Sequence, residues 1–222
     1  MQGLFITATD TGVGKTEVTA AIARIWRRER RSFAVCKPVA TGPSDDARRL
    51  ALAAGDADLR AIAPFVFAEP AAPPVAARLE GRTLTLGELS GAVSRRKEAV
   101  EAVLVEGVGG LLCPLTDTET VADLVARLDL GTIVVARRSL GTLNHTLLTL
   151  EVARNRGLRV RGVVVNETAP VEGAADRANV AELARRLAVP LLAVIPYRVG
   201  GYEGEIPALA GVDWWSLIDS RI

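Results

Sequence analysis

Apolar runs rich in Val, Ile and Leu alternate along the chain with segments in which apolar residues recur at helical spacing. The runs are short, which is typical of buried strands. They predict strands at residues 4–8, 33–37, 101–105, 132–136, 160–165 and 191–195. The segments between them predict helices that begin near residue 15 and span residues 46–54, 84–100, 121–126, 142–156 and 174–187. Together they indicate an α/β fold with a mostly parallel central sheet and helices on both faces.

Polar residues and glycines follow each predicted strand. In a parallel sheet of this kind, ligands bind beyond the carboxyl ends of the strands. We therefore look for the site in the segments after the strands, at residues 9–16, 37–46, 106–110, 139–145, 166–168 and 196–197.

The segment after the first strand predicts a phosphate-binding loop. Gly12 and Gly14 allow the backbone N–H groups to converge on one point, and the following helix directs its positive end toward the same point. Lys15 supplies a charge for a β- or γ-phosphate, and the Thr16 hydroxyl is suited to Mg²⁺. Thr9 stands where the usual motif has a glycine. The fold class is accordingly of the P-loop NTPase type.

Composition narrows the choice of partners. The chain has 222 residues with 27 basic and 26 acidic side chains, so its formal net charge is +1. This balance gives no electrostatic case for nucleic acid or a membrane surface as partner. We find no targeting signal and no membrane-length apolar run, and Cys36 and Cys113 lie far apart in the sequence. These features predict one domain over residues 1–222 and a cytoplasmic location.

Three charged residues near strand ends have competing interpretations. Glu106 ends a buried strand, where it suits Mg²⁺ beside a nucleotide, although a solvated acid at a strand end is the alternative. Asp46 begins a helix, and it could serve only as its N-cap. Lys37 ends a buried strand and is less easily explained as a surface lysine. We interpret His145 as a helix residue.

Four sequence blocks carry a resemblance to the dethiobiotin synthetase family. Residues 9–16 match its T-D-T-x-V-G-K-T pattern, and residues 37–42 match K-P-V-[AS]-[ST]-G. Residues 105–110 match V-E-G-A-G-G with Val108 in place of alanine, and residues 140–145 match L-G-x-[IL]-N-H. Ala8 stands where members often have glycine, and the match fades after Pro196.

The resemblance implies an ATP- and Mg²⁺-dependent ligase of biotin biosynthesis. Its substrates would be 7,8-diaminononanoate, CO₂ and ATP. A carbamate on one amine would attack the γ-phosphate to form a mixed anhydride, and the second amine would close the ring to give dethiobiotin, ADP and phosphate.

The resemblance also assigns roles to individual residues. The catalytic set would be Lys15, Lys37 and Thr11, with Mg²⁺ held by Thr16, Asp46 and Glu106. The nucleotide-binding set would be Gly12, Val13, Gly14, Lys15, Thr16, Glu106, Asn166, Pro196, Arg198 and Glu203. The substrate-binding set would be Thr41, Gly141, Thr142, Leu143 and Asn144. Asn166 could also be a turn residue after its strand.

The family resemblance further implies a homodimer, because the segment 141–144 would reach the substrate tail of the partner subunit. Partition-type ATPases share the fold and are the alternative. Their loops carry a lysine where this chain has Asp10. Amidating enzymes of the cobyrinate type carry an additional glutaminase domain, for which 222 residues leave no room.

Overall fold

A computed structural model describes residues 1–170, 173–202 and 204–218, and for residues 175–177 the backbone alone. The strands are β1 (Gly3–Ala8), β2 (Phe33–Cys36), β3 (Val39–Thr41), β4 (Phe65–Phe67), β5 (Ala102–Glu106), β6 (Gly131–Arg137), β7 (Val160–Asn166) and β8 (Leu191–Ile195). The helices are α1 (Lys15–Arg28), α2 (Asp46–Ala54), α3 (Leu59–Ile62), α4 (Pro73–Leu79), α5 (Leu86–Lys97), α6 (Val121–Leu128), α7 (Thr142–Asn155), α8 (Ala174–Arg186) and α9 (Pro207–Ala210), followed by a 3₁₀ turn at Ser216–Ile218.

The predicted strands form one parallel sheet. Within the described residues its order is β2-β5-β1-β6-β7-β8, and each neighbouring pair is parallel. β1 lies in the interior, between β5 and β6, and all six of its residues are buried. The chain leaves β1 toward one edge of the sheet and later fills the other side, so the carboxyl end of β1 lies at the crevice where such folds bind ligands.

Apolar side chains cover both faces of this sheet. On one face α1 buries Val18, Ile22, Ile25 and Trp26 against β1 and its neighbours, while Arg27 and Arg28 at its end lie exposed. On the other face α5 and α6 pack against β5 through Leu89, Val93, Leu124 and Val125. The predicted mostly parallel α/β architecture is confirmed.

Two features differ from the sequence-based expectations. β3 and β4 pair with each other in a small separate parallel ladder that was not predicted. The spacing of Thr116 and Glu119 predicts a capping box for α6. The structure forms that cap with Thr120 and Asp123, and Thr116 and Glu119 instead close the preceding turn. The expected cap is therefore wrong by one turn.

The C-terminal segment packs against the sheet layer through two tryptophans. Trp214 is buried and its indole N–H donates to the Leu209 carbonyl at 2.9 Å. Trp215 contacts Trp26 edge-on, and Arg31 stacks on its ring. These contacts explain the pair as packing for the end of the described chain. Cys36 and Cys113 are both free thiols.

Candidate active site

The loop between β1 and α1 has the backbone of a phosphate cradle. Gly12 and Gly14 have φ angles of 69° and 98°, in the left-handed region that favours glycine. A Cβ on Gly14 would lie 2.1 Å from Nδ2 of Asn166, so the close approach of that amide also requires glycine. α1 begins at Lys15 directly after this turn, and its first N–H groups are free for an anion.

Lys15 is held against the loop by main-chain oxygens. Its Nζ donates to the carbonyl of Gly109 at 2.7 Å and to that of Asp10 at 3.2 Å. Burial lowers the pKa of Lys15, against the opposing effect of the Glu106 carboxylate. A partly desolvated ammonium at this point is prepared to exchange carbonyl partners for phosphate oxygens.

A second lysine lies among carboxylates. The Nζ of Lys37 donates to Oε1 of Glu106 at 2.5 Å and to Oδ2 of Asp46 at 2.6 Å. The same Oε1 accepts the Thr16 hydroxyl at 2.9 Å. Burial would lower the pKa of Lys37, but the two carboxylates outweigh it and the pKa is raised. The pKa of Asp46 is lowered, because the Lys37 charge and hydrogen bonds outweigh burial.

The oxygen atoms of this cluster fit a hard divalent cation. Oε2 of Glu106 is buried and has no hydrogen-bond partner among the described residues. Thr16 and Asp46 add a hydroxyl and a second carboxylate, which are ligand types that Mg²⁺ prefers. Within the described residues, no group of three or more His, Cys, Asp or Glu side chains could hold a metal ion. A bound Mg²⁺ would therefore depend on this mixed set and on phosphate oxygens.

These side chains border one cavity of about 610 Å³ above the loop. The cavity is lined by most of the residues predicted to bind phosphate, Mg²⁺ or the carbamate: Thr11, Gly12, Gly14, Lys15, Thr16, Lys37, Thr41 and Asp46. Glu106 lies beneath it, fully buried. Val108 lines the opening and packs against the apolar core, so the larger side chain is accommodated there.

The predicted substrate-tail segment lies elsewhere. Gly141, with φ 92°, precedes Thr142, where α7 begins, and none of the residues 141–144 borders this cavity. Asn144 instead lines a separate groove along α7. Within the described part of one chain, the segment and the cavity are not brought together.

The predicted adenine residues follow β7 and β8. Asn166 is buried, and its Nδ2 donates to the Val13 carbonyl at 2.9 Å. After β8, the Pro196 carbonyl accepts the Tyr202 hydroxyl at 3.1 Å, and Arg198 stacks over the Tyr202 ring. None of these three predicted residues borders the cavity. Glu203 lies outside the described residues.

Sequence reasoning missed one contact to the loop. Arg137, the last residue of β6, donates from Nη2 to the Thr11 carbonyl at 3.0 Å. The signal was present, because Arg137 ends a central strand.

Comparison with known proteins agrees with the motifs. A family profile described as "AAA domain" matches residues 2–200. The "ATP-dependent dethiobiotin synthetase BioD" of Anaeromyxobacter dehalogenans strain 2CP-C is 46% identical over 202 residues, covering 89% of this chain and 91% of the relative. The protein of the same name from Bacillus licheniformis is 39% identical and covers 88% and 86%.

The chain belongs to the dethiobiotin synthetase family. The family predicted from residues 9–16, 37–42, 105–110 and 140–145 is thereby confirmed. Membership also confirms the predicted enzyme class, an ATP-dependent ligase.

Solved structures of other proteins share the fold. The MinD cell division protein of Aquifex aeolicus matches with a TM-score of 0.57 at 14% identity, over 99% of this chain and 94% of that one. Chloroplast FtsY from Physcomitrella patens matches with a TM-score of 0.57 at 20% identity over 99% of this chain, which spans 64% of that protein. At such identities the likeness shows the P-loop fold class and nothing about activity.

Proposed function

We propose that this member of the dethiobiotin synthetase family converts 7,8-diaminononanoate, CO₂ and ATP to dethiobiotin, ADP and phosphate. The observation that carries the proposal is the pair of buried lysines, Lys15 and Lys37, on the wall of one cavity. One lysine contacts the phosphate loop and the other lies among carboxylates 2.5 and 2.6 Å away. This arrangement suits the joining of two anions, a carbamate and a triphosphate.

The proposed reaction has three steps. One substrate amine adds to CO₂ and loses a proton, which gives a carbamate. A carbamate oxygen attacks the γ-phosphorus as the bond to ADP breaks. The second amine then attacks the carbonyl carbon, loses a proton, and phosphate leaves as the ring closes.

The chain's residues would orient these groups and offset their charge. Lys37 would hold the carbamate oxygen, and Thr11 and Thr41 would donate hydrogen bonds to phosphate and carbamate. Lys15 would stay in contact with the transferred phosphoryl group and offset its negative charge. The carbamate is already an anion, so its attack needs no general base.

We place Mg²⁺ at Thr16, Asp46 and Glu106. When bound, the cation would neutralise charge on the phosphate oxygens. The buried, unpartnered Oε2 of Glu106 supports this assignment. Lys37 pairs with both carboxylates in the present structure, so it would share them with the ion.

The substrate tail would be received by a second subunit. The N-terminal N–H groups of α7, at Gly141, Thr142, Leu143 and Asn144, suit a carboxylate. Their separation from the cavity within one chain supports a homodimer in which each subunit completes the other's site.

The adenine of the nucleotide would be bound by Asn166, Pro196, Arg198 and Glu203. None of the helices in the described part of the chain has the length and apolar character that a bilayer crossing requires. We further propose one domain over residues 1–222 and a cytoplasmic location.

Release of ADP from MgATP and bicarbonate tests the activity directly. We expect ADP to form only when 7,8-diaminononanoate is present, with one dethiobiotin detected by mass for each ADP. ATP turnover that ignores the diamine and yields no ureido product would refute the proposal. That result would instead favour a nucleotide-switch ATPase, the alternative interpretation of the fold.

A further inference from the structure

Side chains at the ends of β6 and β7 donate hydrogen bonds to two carbonyl groups of the phosphate loop. Arg137, at the end of β6, donates to the Thr11 carbonyl at 3.0 Å. Asn166, at the end of β7, donates to the Val13 carbonyl at 2.9 Å. Each carbonyl belongs to the residue that immediately precedes a loop glycine.

Peptide geometry makes this position informative. In a planar trans peptide the C=O and the following N–H point in opposite directions. A donor that holds the Thr11 carbonyl therefore directs the Gly12 N–H to the opposite side, and Asn166 does the same for the Gly14 N–H. Glycines tolerate many backbone angles, so without these bonds each peptide could rotate at small cost.

Among the described residues, the charge on Arg137 is not balanced by an acid. No carboxylate in the described part of the chain forms an ion pair with it, and its buried Nε has no hydrogen-bond partner there. Its neighbour Arg138, in contrast, pairs with Glu167. With no acid to compete for it, the guanidinium stays on the Thr11 carbonyl, and its charge adds a positive field behind the phosphate cradle.

We propose that Arg137 and Asn166 are positioning residues, a carbonyl clamp that aims the Gly12 and Gly14 N–H groups at the nucleotide phosphates. The inference rests on the proposed function, because it requires a nucleoside triphosphate bound at the loop. It assigns Arg137 a role that the motifs did not indicate. It also gives Asn166 a task in addition to the predicted adenine contact, since its Nδ2 is already engaged by the loop.

The test compares three variants of the full chain. R137M removes the donor and the charge, and R137K retains a charged donor of similar reach. R127M, on the exposed face of α6, is the matched control for the loss of one positive charge. Binding of a non-hydrolysable ATP analogue with Mg²⁺ is measured by titration calorimetry, followed by the KM values for ATP and 7,8-diaminononanoate.

We expect R137M to weaken analogue binding and raise the KM for ATP by about tenfold, because the nucleotide must then order the Thr11 peptide when it binds. The KM for the diamine and the melting temperature should stay close to those of the wild type. R137K should recover most of the loss, and R127M should bind like the wild type.

Several outcomes would overturn the clamp. These are analogue binding by R137M within about twofold of wild type, or an equal rise in both KM values, which would indicate general damage to the site. A wild type that binds the analogue but makes no dethiobiotin would refute the proposed function alone, and the binding data would still decide on Arg137. A wild type that binds no nucleotide would refute both.

Discussion

The two buried lysines of the site differ in what surrounds their charge. Lys15 contacts main-chain carbonyls, and burial lowers its pKa. Lys37 contacts two carboxylates, and its pKa is raised although burial opposes this. Within the described part of the chain, Lys15 thus has no direct anionic partner to give up when a phosphate arrives, whereas Lys37 must loosen an existing ion pair to hold a carbamate. The difference predicts separate effects on catalysis and on stability.

Removing Lys15 should affect catalysis far more than folding. Lys15→Ala loses a contact to the transferred phosphoryl group, so we expect the rate to fall by a factor of about 100, or roughly 3 kcal/mol. The loop would lose only bonds to two carbonyls, so the melting temperature should change little. Steady-state kinetics and circular dichroism check both statements. Lys97→Ala, at the end of α5, is the control, and an unchanged rate in a folded Lys15→Ala protein would remove this residue from the mechanism.

Removing Glu106 should affect stability in addition to Mg²⁺ binding. Glu106→Ala leaves Lys37, whose side chain is 6% exposed, with one of its two carboxylates gone. Breaking a buried ion pair on one side costs about 3–5 kcal/mol, although the remaining Asp46 brings the expected loss to the lower end. Urea unfolding measures it. Glu106→Gln keeps an oxygen for Lys37 and should lose less, and equal stability of the two variants would contradict this account.

Among the secondary-structure elements, those that carry the sheet were predictable and the short ones were not. The continuous apolar runs of β5 and β6 are short and rich in Val and Ile, which favours strands buried on both faces over helices. β3 and β4 have three residues each, too few for a pattern to develop. Prolines disfavour the interior of a helix, yet α4 begins at Pro73, since a proline at the first helical position loses no hydrogen bond.

A capping box at the N-terminus of α5 makes a contribution to stability that can be measured. The Thr85 hydroxyl accepts the Glu88 N–H, and the Glu88 carboxylate accepts the Thr85 N–H. Thr85→Ala should therefore lower the free energy of unfolding by about 1 kcal/mol. Thermal melting of this variant beside Thr83→Ala, an exposed threonine before the helix, provides the comparison. A loss no larger than that of Thr83→Ala would show that the cap adds nothing.

At the scale of the whole molecule, the site could be predicted only in part. The motifs identify the phosphate loop, Lys37 and Glu106, because these residues follow strands at recognisable spacing. The contact from Arg137 depends on β6 lying beside β1, and that neighbour relation is set by sheet order, which local patterns do not contain. In our proposal the segment 141–144 reaches the substrate of a second subunit. How two subunits pack together cannot be predicted from local patterns in one sequence either.

The proposed homodimer makes a prediction about one exposed face. Leu148, on α7, is 56% exposed, and Leu140, just before this helix, is 89% exposed. If a second copy covers them, Leu148→Glu should place a charge in the interface and shift the protein toward monomer. Sedimentation velocity measures the shift, and activity should fall with it because the substrate tail loses its partner subunit. Leu79→Glu, at 67% exposure on α4, is the control, and a monomeric wild type would contradict the dimer.

The central place of β1 in the sheet has a consequence for how the protein is made. The bonds that shape its loop join residues 94, 126 and 153 positions apart. Each of these closures must overcome the entropy of a long loop, and none can form before its later residue has been synthesised. The first sixteen residues leave the ribosome long before Asn166, which contacts their loop, has been synthesised. The loop with all three bonds therefore requires the chain through residue 166, and a ligand that binds there stabilises molecules in which these bonds have formed.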